Sequence, residues 1–89
     1  MGSGSDWRSM FENWPGDVPR QGILSTTSGE TVSFTDFRIA GNLLLMERDR
    51  PDSVGSRKVV IAFDAISTLK FADVSDLSRY SQFGFELPG

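Results

Sequence analysis

Apolar residues follow two rhythms along this chain. From Ser5 to Trp14, the residues Trp7, Met10, Phe11 and Trp14 fall at i, i+3, i+4 and i+7, the spacing that lines one face of a helix. Ser5 or Asp6 is placed to cap its start, and Pro15-Gly16 stops it at or before Trp14. Such a stripe covers a core, the other use for two tryptophans being an exposed binding platform. From Arg20 onward the rhythm shortens to strands rich in β-branched and aromatic residues, broken by Gly, Asp and Ser. "RQGILSTT", the turn Ser28 to Glu30 and "TVSF" read as a hairpin with Val32 and Phe34 on one face. After Asp36 the apolar set moves to Phe37 and Ile39, an odd-numbered shift that a bulge or sharp bend explains.

Ala40-Gly41-Asn42 supplies the next turn. "NLLLMERD" starts apolar on both faces and ends charged, as a central strand reaching solvent does. The polar loop Asp49 to Ser56 leads to "KVVIAF", Lys58 to Phe63. Here Val59, Ile61 and Phe63 alternate with Val60 and Ala62, so burial on both sides is expected. Asp64-Ala65 interrupts, and "ISTLKF" resumes with Leu69 and Phe71 on one face and Ile66 on the other, which predicts a bent joint. In the tail, Val74, Leu77 and Tyr80 suggest a short helical turn, followed by a loosely held extension bearing Phe83 and Phe85.

The predicted fold is mostly β: an N-terminal helix, then a five-stranded, strongly bent antiparallel small open barrel, then a short tail. The expected organisation is a flexible leader at 1–4, native or left over from expression, one domain over 5–73 and a tail over 74–89. Eighty-nine residues bury only about 60–65% of their unfolded surface, and association is a natural remedy for so small a core.

Composition narrows the chemistry. With no cysteine and no histidine, thiolate chemistry, zinc sites and Ser-His-Asp catalysis are excluded. Nine Lys and Arg against twelve Asp and Glu give net −3, which weakens non-specific attraction to nucleic acid or anionic lipid. No stretch has a secretory pattern or approaches the roughly 18 apolar residues of a membrane span, so a soluble cytoplasmic protein without a membrane partner is expected. Asp36, Asp64 and Asp73 are the acids available for an acid pair or an oxygen-ligand metal site, yet their spacing demands neither. Asp49 and Asp52 interleave with Arg48 and Arg50, a pattern of mutual neutralisation. Gly22, Gly29 and Gly41 lie in separate turns and form no phosphate loop. The expectation is no enzyme and no cofactor.

Three stretches, "GILSTTSGETVSF", "DFRIAGNLLLMER" and "VVIAFDAISTLKF", carry a resemblance to the Sm-like family, including its bacterial host-factor branch, which shows a similar "AIST" after its fourth strand. The resemblance spans Gln21 to Phe71 and implies the same helix-plus-open-barrel fold. It implies an RNA-binding loop at Asp36 and Asn42, and homo-oligomers in which the fourth strand of one subunit pairs with the fifth of the next. Here those edges carry Val59, Ile61 and Phe63, and Ile66, Thr68 and Lys70. Where the family has Arg-Gly or Lys-His between these strands, this chain has Phe63-Asp64-Ala65, and an acid there repels phosphate.

Three functions follow as expectations. The first is a self-assembling scaffold or binding module. The second is single-stranded RNA binding, with Arg38, Arg57, Lys58 and Lys70 holding phosphates and Phe37 or Phe63 stacking bases. The third is a monomeric peptide-binding barrel whose tail aromatics Tyr80, Phe83 and Phe85 dock onto a partner.

Overall fold

The computed structural model describes residues 3–51, 53–71 and 76–88. Helix α1 (Ser3–Glu12) precedes strands β1 (Gly22–Thr26), β2 (Thr31–Ala40), β3 (Leu43–Arg48) and β4 (Lys58–Ala62). A 3₁₀ turn, Phe63–Ala65, leads into β5 (Ile66–Lys70), and a 3₁₀ helix, Leu77–Phe83, closes the described chain. Every strand pair is antiparallel, in the order β4-β3-β2-β1-β5. The sheet therefore does not close into a barrel, and β4 and β5 are its two edges. The predicted element order holds. Asp52, Asp73 and Val74, and the expected boundary between domain and tail, lie outside the described residues.

Two single-residue bulges account for the broken period. Phe34 pairs with Arg48 while Asp36 pairs with Glu47, so Thr35 is an extra residue in β2. It turns Phe37 inward beside Phe34, as the shift of apolar positions predicts. In β5, Ile66 opposes Thr26 and Thr68 opposes Ser25, which leaves Ser67 unpaired in the ladder, with its Oγ donating to the Ser25 carbonyl at 3.2 Å. Ile66 is therefore buried on the inner side with Leu69 instead of on the opposite face, because the extra residue restores its phase. The expected joint at Asp64-Ala65 is the 3₁₀ turn itself. At the other hairpin, Gly41 alone has positive φ, 59°, the type II′ pattern that matches strand twist.

Helix α1 lays Phe11 on the inner face of the sheet, and Trp14 follows in the next turn of chain. The Phe11 ring lies 4.9 Å from Phe37, 5.9 Å from Phe63 and 5.3 Å from Trp14. Together with Val18, Leu24, Val32, Phe34, Leu44, Met46 and Ile66 they form one core. Trp14 is buried and its Nε1 donates to the Val18 carbonyl at 3.0 Å, so it belongs to the core and not to an exposed platform. Among the described residues every buried side-chain polar atom has a partner.

The helix begins two residues earlier than expected. Ser3 and Gly4, assigned by sequence to a flexible leader, are in its first turn, and neither Ser5 nor Asp6 stands at its start. The physical reason lies in the 3₁₀ turn. A Cβ built on Gly4 collides with Asp64 Oδ1 and lies 3.2 Å from the Asp64 backbone nitrogen, so the absence of a side chain lets the turn seat directly on the helix. The Asp64 carboxylate thus lies against the first turn of α1, where unpaired N–H groups and the helix dipole favour an anion.

Candidate functional site

The cross-strand pairs define what the sheet shows to solvent. On the outer face, Ala40, Leu43 and Ala62 form one row, Arg38, Leu45 and Val60 the next, and Asp36, Glu47 and Lys58 the third. In the third row Lys58 Nζ stands 3.3 Å from Glu47 Oε1. At the β2 bulge the Phe37 N–H donates to Asp36 Oδ1 at 2.8 Å, and Arg38 Nη1 lies 3.0 Å from the same oxygen, with Arg20 Nη1 at 3.9 Å. The backbone donor first, then the Arg38 hydrogen bond, hold the Asp36 carboxyl below its ordinary pKa. Arg20 also lies 5.1 Å over the Phe37 ring. Asp36, Arg38, Glu47 and Lys58 border a shallow groove of about 200 Å³ that includes Leu45.

Apart from Arg38, the first two rows are apolar and open. Leu43 is 47% exposed, Leu45 37% and Val60 57%, although the outer face of an antiparallel sheet is ordinarily polar. β4 was expected to be buried on both sides, yet it is an edge strand. Its inward residues Val59 and Ile61 are only half-buried, because no further strand lies beyond them to complete the cover.

The backbone of this edge is free in a definite pattern. Phe63 N–H donates to the Asn42 carbonyl, and the Arg57 carbonyl accepts from Arg48 N–H, so Arg57 and Phe63 turn their backbone groups toward β3. By the alternation of an antiparallel ladder, Lys58, Val60 and Ala62 turn theirs outward. The Lys58 carbonyl accepts from Ser56 Oγ at 3.1 Å. Among the described residues the Val60 N–H and C=O and the Ala62 N–H remain for another strand, because the Ala62 carbonyl caps the start of the 3₁₀ turn.

The candidate nucleic-acid residues are dispersed. Asp36, Arg38 and Lys58 gather on the outer face, and Arg57 precedes β4. Asn42 sits in the β2–β3 turn, and Lys70 is across the sheet on β5, opposite Ile23. Phe37 is 4% exposed and Phe63 is fully buried, which corrects their reading as base-stacking rings. Phe63 also belongs to the 3₁₀ turn and not to a strand edge, and the Ile66 side chain is in the core. Val59 and Ile61 flank the free edge from within, and Thr68 and Lys70 are exposed on β5.

Compared with known proteins, the chain matches no family model, no curated protein and no solved structure. Its site is therefore described by its own geometry. Among the described residues no three acidic side chains gather as metal ligands. Asp36 is engaged by arginines and Asp64 lies against the first turn of α1, so these acids are not a pair. Asp49 has no cation at ion-pair distance among the described residues, and Arg48 Nε turns instead to the Arg50 carbonyl, so Asp49 takes no part in the expected neutralisation, while Asp52 lies outside the described residues. No helix among the described residues is long and apolar enough to cross a membrane. Leu43, Leu45 and Val60 were not singled out from sequence. The signal available was the doubly apolar "NLLLM" and "VVIA", which fits an interface as well as an interior.

Proposed function

We propose that this chain is a non-enzymatic, Sm-like small-barrel module that assembles with copies of itself by pairing the β4 edge of one subunit with the β5 edge of the next. One observation carries the reading: β4 is an edge with the Val60 N–H and C=O and the Ala62 N–H turned outward, apolar residues on both faces, and neither a proline nor a bulge. Edges left in solvent are usually blunted by such devices, and edge addition through backbone hydrogen bonds is a recurrent mode of association. The sheet order supports the reading, because β4 and β5 are the strands the family resemblance pairs between subunits.

Light scattering behind a sizing column tests it. The wild-type chain should elute as an oligomer of its 9.8 kDa unit, and a clean monomer at tens of micromolar sinks the proposal. Ala62→Pro should give a folded monomer. Its φ of −79° already suits proline, and the lost N–H is one that points away from β3. RNA binding has less support from the geometry, since the rings proposed to stack are buried and Arg38 and Lys58 are held by acids. Affinity for uridine-rich and adenine-rich strands, measured against salt, checks it.

A further inference from the structure

Among the apolar surfaces of the described residues that edge pairing leaves uncovered, two lie on opposite sorts of element. One is the ridge on the outer face, Leu43, Leu45 and Val60, flanked by the exposed cations Arg38 and Lys58, each in a surface ion pair, with Asp36 at 3.0 Å and Glu47 at 3.3 Å. The other is a groove of about 400 Å³ between α1 and the segment leaving the 3₁₀ helix, where Trp7, Met10, Phe83 and Phe85 supply the apolar lining and Asp6 stands among them. Asp6 has no cation at ion-pair distance among the described residues.

We propose that the ridge of one copy seats in the groove of another, a second self-interaction distinct from edge pairing. The match is in sign and in shape. The groove has room for Leu45 and Val60 together, and its unpaired carboxylate would meet a ridge bordered by Arg38 and Lys58, which in their own chain hold only surface ion pairs. A groove meeting a groove would set Asp6 against Asp6, so the like-with-like arrangement is disfavoured. The exposed apolar area of three side chains falls well short of the roughly 800 Å² per partner of a standard interface. The contact between copies is therefore weak and concentration-dependent. Repetition around an edge-paired assembly would strengthen it through effective concentration.

Complementation between variants tests the contact directly. The parent is Ala62→Pro, or the wild-type chain if that is itself monomeric, in which case the edge-pairing reading has failed while this one is still measured. Sedimentation equilibrium should show self-association of the parent at high concentration. Leu45→Glu removes the ridge and Phe85→Glu the groove, and each alone should weaken association at least tenfold. Their equimolar mixture should recover a heterodimer, because each variant keeps the surface the other lacks. Leu43→Glu and Asp6→Lys are the second pair should either first variant fail to fold by circular dichroism. A parent monomeric up to millimolar concentration, a single variant that associates like the parent, or a mixture that stays monomeric overturns the proposal and leaves both surfaces to other partners.

Discussion

Gly4 and Asp64 show how a pair of residues sixty positions apart sets where a helix begins. Alanine exceeds glycine in helix propensity by about 1 kcal/mol, so on propensity alone Gly4→Ala should stabilise α1. The close approach of Asp64 reverses the sign. Gly4→Ala should lower the urea midpoint in the wild-type chain and lower it less in an Asp64→Ala background, where the carboxylate is gone and the backbone approach is left; an equal loss in both removes the carboxylate as the cause. Asp36 makes the second prediction at this scale. Its carboxyl is held below the ordinary value of 3.8, so the stability it contributes is present above the unfolded-state pKa and is lost as pH falls through the lower folded value. In Arg38→Ala its NMR titration midpoint should rise yet stay below that of an unperturbed aspartate, because the Phe37 N–H is the larger cause.

Phe11 belongs to the scale of elements, since it is the contact through which α1 closes the sheet. Its ring meets residues of β2 and of the 3₁₀ turn as well as Trp14. Truncating a buried phenylalanine costs about 3–5 kcal/mol, against a total of about 4–13 kcal/mol for a chain of this length. Phe11→Ala should therefore leave a large unfolded fraction at room temperature, visible as lost near-ultraviolet dichroism. The helix was legible in the sequence because four aromatic and apolar residues keep its period. The edge status of β4 was not, because an apolar run on both faces reads the same whether its cover comes from its own chain or from another.

At the scale of the whole molecule, the tail is fastened to its own domain. Phe83 lies 5.2 Å from Trp14 and 5.9 Å from Phe71, Tyr80 lies 5.3 Å from Phe71, and Arg79 donates to the Asp17 carbonyl. Tyr80 and Phe83 are thus engaged within the chain, and of the three tail aromatics proposed for a partner Phe85 is the one left exposed. A chain ending at Phe71 should remain folded, lose about 1–3 kcal/mol from uncovered aromatic surface, and shift its tryptophan emission to the red as Trp14 meets water. Loss of the folded state would make the tail part of the core, and an unshifted emission would detach it from Trp14. Association through β4 is the other property of this scale, read out by Ala62→Pro.

The sequence by itself determined the order of elements, the inner faces of α1 and β2 and the shift of period within β2, because these depend on side-chain alternation over a few neighbouring positions. It also removed histidine and cysteine chemistry, which no fold can restore. Only the tertiary structure decided which strands are edges, that Phe37 and Phe63 are core, and that Asp64 lies against a helix start. Each of these depends on what lies across the sheet from a residue, and local pattern carries no record of distant neighbours.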